Sequence, residues 1–147
     1  MTLAKKIVFR LGNYGFSLPI TNLLEIREGL GEWFDQSCAD TATGLLGTLT
    51  FRGEQLPIRD IRAALDLPGI SPNASLTILT IGHQGHHWGI IVDRIEGIFV
   101  AGEFVSRDLP ELLIDPRNQL YRKLDIWRDE PLIQLDGEML FRCWGAL

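Results

Sequence analysis

The chain has 147 residues, of which 46% are hydrophobic and 22% are charged, and its formal net charge at pH 7 is -5. This length and hydrophobic content predict one compact globular unit, because a chain of this size buries roughly 70% of the surface that it exposes when unfolded. The negative charge argues against nucleic acid or an anionic membrane as the main partner, since binding to either needs clustered positive charge.

The first predicted element is a β-hairpin near the N-terminus. Lys6–Leu11 and Phe16–Ile20 have β-type composition, and the turn between them contains Gly12 and Gly15, which tolerate positive φ. Thr21–Arg27 follows and is compatible with a short strand or with one helical turn.

A second hairpin is predicted before the middle of the chain. Thr48–Phe51 alternates in hydrophobicity, Arg52–Glu54 forms a turn, and Gln55–Arg59 is the return strand. Asp60 occupies the N-cap position of a short helix. The apolar face of that predicted helix is formed by Ile61, Ala64 and Leu65.

The second half of the chain is predicted to contain further short strands. Residues 101–118 include two prolines and little periodicity, so they are predicted as a loop with one helical turn at Pro110–Leu113. Arg94–Phe99 corresponds in position to Leu23–Arg27. The predicted strands are Leu76–Ile81, Trp88–Val92, Leu124–Trp127 and Leu132–Leu135.

An internal repeat organises these elements. Thr50–Asp60 is echoed by Ile126–Asp136, with the Arg, Leu and Asp at the same spacing, and Phe16–Ile26 reads like Trp88–Ile98. Many short strands in two copies predict an all-β fold of two small five-stranded barrels with short connecting helices. We expect a single domain over residues 1–147, with the first barrel at roughly 7–72, the second at roughly 75–140 and a C-terminal tail at 141–147.

Residues that could carry chemistry are sparse. His83, His86 and His87 crowd one turn, but no nearby Cys or carboxylate completes a tetrahedral metal site. Cys38 and Cys143 are far apart and lack a CxxC or Cys/His pattern, which favours a reducing cytoplasm over a disulfide framework. Nucleophile-elbow and phosphate-loop motifs are absent from the sequence. We therefore predict no catalytic residue, no cofactor and no metal.

Two rival functions remain open at this point. One is a β-barrel that binds a small ligand or an oligonucleotide, and the other is an enzyme of unrecognised type. No apolar stretch approaches the ~20 residues needed to cross a bilayer, so direct membrane insertion is not expected.

Three positions have an ambiguous role on the residues alone. Arg52 heads a tight turn beside Gly53, where a guanidinium is either a contact group or simply solvated. Leu23 and Glu25 are two residues apart and share one strand face, which is either a contact patch or an ordinary strand edge.

Several segments share a recognisable pattern, namely Phe9–Ile26, Gly47–Arg52, Gly53, Pro57, Asp60, Arg62, Leu65 and Gly89–Ile95. Together they closely resemble the CheW-like domain of bacterial chemotaxis coupling proteins. The family patterns run roughly as G-V-I-N-L-R-G-x-x-x-P-x-x-D-L-R and G-L-x-V-D-x-V. The resemblance covers residues 7–100 well and the remainder loosely, and Thr50 and Phe51 stand where the family has Asn and Leu.

The resemblance implies two SH3-like β-barrels and a cytoplasmic, non-catalytic adapter. Such an adapter joins the regulatory domain of a CheA-type histidine kinase to the tips of methyl-accepting chemotaxis receptors. A diverged scaffold of another kinase or motility pathway is the alternative. The resemblance also implies that Asp60 and Arg62 are mainly structural. The partner-binding residues that it implies are Leu23, Glu25, Arg52, Ile91 and Val92.

Overall fold

A computed structural model describes residues 4–29, 34–37, 39–40, 44–62, 67, 76–113 and 122–144. Eleven strands, three short 3-10 turns and one α-helix lie within these ranges. The strands are β1 (Lys5–Leu11), β2 (Tyr14–Pro19), β3 (Leu23–Glu28), β4 (Leu45–Phe51), β5 (Glu54–Arg59), β6 (Thr77–His83), β7 (His86–Val92), β8 (Arg94–Val100), β9 (Phe104–Asp108), β10 (Lys123–Trp127) and β11 (Glu130–Gln134).

The remaining elements are short. The 3-10 turns span Ile20–Asn22, Ala101–Glu103 and Glu111–Leu113, and the helix α1 spans Gly137–Trp144. None of the helices in the described part of the chain has the length and apolar character needed to cross a membrane.

One compact unit, formed by residues 1–22 and 94–147, contains a six-stranded sheet. Its strand order is β8-β1-β2-β11-β10-β9, and all neighbours are antiparallel except β2 and β11. The rings of Phe9 and Phe16 stack across β1 and β2 with centroids 5.4 Å apart. A buried cluster in this unit comprises Val8, Phe104, Trp127 and Leu132.

The second unit, formed by residues 23–93, contains a five-stranded sheet. Its order is β3-β6-β7-β5-β4, with β5 and β7 parallel and the other neighbours antiparallel. Alternation along the strands directs apolar side chains to the core of the unit. The buried cluster there comprises Leu49, Leu56, Ile58, Ile78 and Ile91.

The two sheets repeat the same topology, as the internal repeat predicts. Each sheet consists mainly of two hairpins whose second strands are parallel neighbours. In the six-stranded sheet, β2 of the central β1-β2 hairpin pairs with β11 of the β10-β11 hairpin. In the five-stranded sheet, β7 of the central β6-β7 hairpin pairs with β5 of the β4-β5 hairpin. The outer strand also matches, since β8 and β3 both carry a register shift against the central hairpin. The chain is therefore all-β, with two sheets that share five equivalent strands, and β9 is the additional strand of the larger sheet.

The predicted barrel boundaries are wrong, because the outer strands are exchanged between the repeats. β3 belongs to the first repeat in sequence but pairs with β6, and β8 belongs to the second repeat but pairs with β1. The hairpins β4-β5 and β10-β11 likewise pair with the central hairpin of the other repeat. Neither sheet follows the predicted ranges 7–72 and 75–140, and one sheet has six strands instead of five.

Several local predictions can be compared directly with the strands. Both early hairpins are confirmed, at β1-β2 and β4-β5. The backbone amide of Arg62 donates to Oδ1 of Asp60 at 3.0 Å, as an N-cap requires, but Ala64 and Leu65 of the predicted helix lie outside the described residues.

Two predictions for the second half of the chain need correction. The predicted loop 101–118 contains strand β9, which the hydrogen bonds of β10 hold in place, although its short helical turn is confirmed at Glu111–Leu113. The predicted tail 141–147 is partly helix α1. Oδ1 of Asp136 accepts a hydrogen bond from the amide of Met139 at 2.7 Å and so starts that helix.

Candidate docking surfaces

The turn between β4 and β5 holds Arg52 in an uncommon backbone conformation. Arg52 has a φ of 50° and Gly53 a φ of 79°, the left-handed pair that a tight two-residue hairpin requires. Gly53 supplies this conformation at no steric cost, whereas Arg52 does so at a cost of roughly 1–2 kcal/mol. Arg52 is exposed, so the turn presents a long cationic side chain at the end of the hairpin.

The equivalent turn of the repeat, between β10 and β11, holds Arg128. Its φ is also 50°, and Asp129 follows with a φ of 62°. The guanidinium carbon of Arg128 lies 4.5 Å from the Trp127 ring centroid and 4.9 Å from that of Phe99. Cation–π attraction therefore holds the Arg128 side chain against its own unit.

Strand β3 carries Leu23 and Glu25 at one edge of the five-stranded sheet. Both are half-buried, and Oε1 of Glu25 lies 3.5 Å from Nε of Arg27. The more exposed apolar side chains of this strand are those of Leu24 and Ile26, at 39% and 43%. Sequence reasoning placed the exposed apolar surface on Leu23 and missed Leu24 and Ile26. Half-buried and exposed side chains alternate along β3, and its pairing with β6 shifts register between Leu23 and Glu25.

The predicted contact residues do not form one continuous strand surface. Leu23 and Glu25 lie on β3, whereas Arg52 lies beyond β4, and these two strands are the opposite ends of the sheet order. All three residues belong to the same unit. The unit thus offers an apolar and acidic strand at one end of the order and a cationic turn at the other.

Ile91 and Val92 need a correction, because both are completely buried in β7. Ile91 packs in the core cluster with Leu49 and Ile58. Trp88–Val92 is a continuous apolar run, which is typical of a central strand buried on both faces. Neither side chain offers surface to a partner, so we assign both to the core.

Asp60 and Arg62 form part of a local ion-pair cluster in the five-stranded unit. The Arg62 guanidinium is almost completely buried, with Nη2 bonded to Oδ1 of Asp93 and Nη1 3.4 Å from Oδ1 of Asp60. This cluster joins the end of β5 to the end of β7. The geometry agrees with the structural role that the resemblance implies for both residues.

The six-stranded unit has a second ion-pair cluster, on β1, β8 and β11. Arg10 donates from Nη1 and Nη2 to the two carboxylate oxygens of Glu130 and from Nε to Glu96 at 3.2 Å. The hydrogen bond with Glu130 raises the pKa of Arg10 and, in return, holds the pKa of Glu130 below its ordinary value. No sequence signal links these residues, because up to 120 positions separate them.

A buried polar network in the same unit centres on Asp125. Its carboxylate is fully buried and accepts hydrogen bonds from Lys6 Nζ at 2.7 Å, Ser17 Oγ at 2.6 Å and Gln134 Nε2 at 3.1 Å. A buried carboxylate requires such donors. The network therefore ties β1, β2 and β11 to β10.

The described ranges contain no cluster of side chains suited to metal binding. No three His, Cys, Asp or Glu residues there lie close enough to hold a metal ion. His83 and His86 face each other as the last pair of the β6-β7 ladder. The observed charge clusters are ion pairs that join strands, which is the arrangement of a structural framework.

Comparison with known proteins gives a consistent family. Residues 5–142 match the sequence profile described as the CheW-like domain. The chain is 27% identical over 135 residues to a probable chemotaxis protein CheW of Rhizobium etli, covering 92% of this chain and 85% of that protein. It is 26% identical over 137 residues to the chemotaxis protein CheW of Helicobacter pylori, covering 88% and 81%.

A solved structure has the same fold. The crystal structure of the scaffolding protein TtCheW from Thermoanaerobacter tengcongensis superposes with a TM-score of 0.71 at 16% sequence identity, covering 90% of this chain and 88% of that one. At this identity the similarity concerns the fold alone. Because the family profile spans nearly all of the sequence, the chain belongs to the CheW-like family.

Proposed function

We propose that this protein is a non-catalytic, cytoplasmic adapter in chemotaxis signalling. It couples the regulatory domain of a CheA-type histidine kinase to the cytoplasmic tips of methyl-accepting chemoreceptors. The observation that carries this proposal is the match of residues 5–142 to one family domain. The names of the curated relatives support the pathway, and the name of the solved relative supports a scaffolding role.

We further propose that each sheet is the body of an SH3-like barrel. The parallel pairing of two hairpins in each sheet supports this assignment, because it brings non-consecutive strands together around one apolar cluster. In the described residues, the edge strands of neither sheet pair with each other. Such edges leave backbone groups that an extended segment of a partner can pair with.

We propose that Arg52 is the main receptor contact and that residues of β3 make additional contacts. Its exposure at the end of the β4-β5 hairpin is consistent with this role. Glu25 and Leu23 contribute a half-buried acidic and apolar strand, and Ile26 adds exposed apolar area. Charges of opposite sign at two places on one unit would fix the orientation of a bound receptor tip.

The test is a pull-down with the kinase regulatory domain and a receptor tip fragment, separately and together. The variant is Arg52→Glu, and its matched control is Arg128→Glu, which reverses the same charge at the same φ in the equivalent turn. We expect Arg52→Glu to weaken receptor binding at least roughly tenfold, as for a contact worth more than about 1.4 kcal/mol. Arg128→Glu is expected to leave receptor binding unchanged.

The outcomes distinguish a chemotaxis adapter from a scaffold of another kinase or motility pathway. Equal loss of receptor binding in both variants would indicate a general charge effect and contradict the role of Arg52. Binding to the kinase domain without any binding to the receptor tip would favour a scaffold of another kinase or motility pathway. Failure to bind either partner would overturn the proposed function.

A further inference from the structure

A cavity lies at one end of the six-stranded sheet. It forms where β2 and β8 both give way to 3-10 turns, at Ile20–Asn22 and Ala101–Glu103. The amide of Ala101 donates to the carbonyl oxygen of Ala4 at 2.8 Å, which fixes the second turn against the chain that leads into β1. The cavity at this place has a volume of about 500 Å³.

We call this cavity the β1 pocket. Its walls are mostly apolar, and the described residues that line it include no acidic side chain. The volume falls within the range of roughly 300–1,000 Å³ that is typical of small-molecule sites. The side chains and backbone that line it include those of Lys5, Lys6, Pro19, Ile20, Thr21 and Ala101.

The two lysines of the β1 pocket have different electrostatic surroundings. The ammonium of Lys6 is neutralised by Asp125, whose Oδ2 lies 2.7 Å away, and it also lies 5.3 Å from the Phe104 ring centroid. Lys5 is exposed and forms no ion pair with a carboxylate among the described residues. Among the described residues, the pocket therefore combines apolar walls with one lysine that has no carboxylate partner.

We propose that the β1 pocket binds a monoanionic amphiphile. Its carboxylate or sulfonate pairs with the Lys5 ammonium, and its apolar chain is buried against Pro19, Ile20 and Ala101. A polyanion such as a nucleotide would bring several charges to one available cation, which these walls cannot compensate. A neutral apolar molecule would gain no electrostatic attraction from the Lys5 ammonium.

The occupant is a free molecule instead of a membrane lipid. The chain has a net charge of -5, which opposes approach to an anionic bilayer. The half-open cavity needs only one chain to fill it, whereas docking on a bilayer needs a broad basic or apolar surface. This inference does not depend on the proposed adapter function, because kinase and receptor binding play no part in it.

The test uses octanoate as the probe and octanol as the uncharged control of the same length. Titration calorimetry measures affinity, and amide chemical shifts in a ¹H–¹⁵N correlation spectrum locate the site. We expect saturable octanoate binding with shifts concentrated at Lys5 and Ala101, and weaker binding of octanol. Lys5→Glu is expected to lower octanoate affinity roughly tenfold, because an attraction becomes a repulsion.

Two further variants distinguish binding in the β1 pocket from a general effect of protein charge. Ala101→Phe fills the cavity and is expected to reduce binding of both probes. Lys123→Glu makes the same charge reversal at an exposed position on β10 and is expected to change affinity less than about twofold. Circular dichroism tests whether each variant is folded. If Ala101→Phe does not fold, the affinity of Lys5→Glu and the chemical-shift map still test whether octanoate binds in the β1 pocket.

Four results would overturn the proposal. These are absence of saturable octanoate binding, equal affinity for octanol and octanoate, unchanged affinity in Lys5→Glu, and chemical-shift changes that lie away from β1. Co-sedimentation with phosphatidylglycerol vesicles forms a separate arm. Binding to these vesicles without binding of monomeric octanoate would also overturn it, in favour of a lipid surface.

Discussion

Arg52 and Arg128 hold the same place in two equivalent hairpin turns, and each has a φ of 50°. The guanidinium of Arg128 lies over the rings of Trp127 and Phe99 within its own unit. A left-handed arginine is therefore built into both copies of the repeat. Stability and partner binding can be separated at these two positions, because glycine preserves the backbone conformation and removes the side chain.

The first prediction concerns Arg52→Gly. Glycine takes a φ of 50° without the Cβ clash, so the free energy of unfolding is expected to stay unchanged or to rise by up to about 1 kcal/mol. Receptor-tip affinity is expected to fall, since the guanidinium is lost. Urea unfolding and a receptor titration measure the two effects. A variant that keeps full affinity would show that the side chain does not contact the receptor.

Arg128→Gly provides the matched comparison for that experiment. It gains the same backbone relief but loses two cation–π contacts, each worth about 0.5–1 kcal/mol at an exposed site. The relief and the loss are of similar size, so we expect Arg128→Gly to be about as stable as the wild type and to keep its receptor affinity.

The second prediction concerns the buried carboxylate of Asp125. Asp125→Ala leaves Lys6 without its counter-charge and removes the acceptor of Ser17 and Gln134, so we expect a loss of about 3–5 kcal/mol in the free energy of unfolding. Chemical denaturation measures this loss. Asp108→Ala, on the exposed strand β9, is the control and is expected to stay within about 0.5 kcal/mol. Equal effects at both positions would contradict a structural role for the network.

The third prediction concerns the pH dependence that Glu130 contributes. Because Arg10 holds the pKa of Glu130 below its ordinary value, near 4.5, the ionised pair stabilises the fold above that value. The contribution is lost as the pH falls from about 4.5 through the lowered pKa of the folded state, where the carboxylate becomes protonated. Glu130→Gln is therefore expected to be less stable than the wild type at pH 7, and the difference is expected to shrink below pH 4.5.

Melting temperatures measured between pH 7 and pH 3 provide the readout for Glu130. Glu54→Gln removes one negative charge at an exposed turn and serves as the control. A stability difference for Glu130→Gln that stays constant over the whole range would argue against the ion pair as its cause.

The fourth prediction concerns Gly89 in strand β7. A Cβ at this position would lie 2.6 Å from Cδ1 of Ile58 and 3.0 Å from Cγ2 of Ile78. Gly89→Ala is therefore expected to lower the free energy of unfolding by about 1–3 kcal/mol through overpacking of the core. Gly102→Ala has no neighbour within 4 Å of the added Cβ and should be nearly neutral. Thermal unfolding of the two variants checks this contrast, and similar melting temperatures would refute it.

Local pattern and the internal repeat were sufficient to predict the hairpins and the all-β class. The β4-β5 and β10-β11 turns have the same backbone conformation, as the matched segments Thr50–Asp60 and Ile126–Asp136 suggest. Strand partners were not predictable in this way. The pairing of β3 with β6 depends on contacts between residues about 50 positions apart, which alternation and turn chemistry do not encode.

The candidate site was predictable only in part, for a physical reason. The position of Arg52 at an exposed turn follows from its neighbour Gly53, whereas the burial of Ile91 and Val92 follows from the central place of β7 in the sheet. The apolar run at Trp88–Val92 already indicated such burial. Helix α1 had a usable signal in Asp136, an N-cap residue two positions before Glu138.

The exchange of outer strands fixes an order for folding during synthesis. The five-stranded sheet has all its strands once Val92 has left the ribosome, whereas the six-stranded sheet must wait for β11 at Glu130–Gln134. Until β8 emerges, β1 and β2 form only an isolated hairpin, which is marginally stable in water, and until β11 emerges they lack their parallel neighbour. The nascent chain can therefore complete the sheet of its middle section before the sheet that contains its N-terminal hairpin.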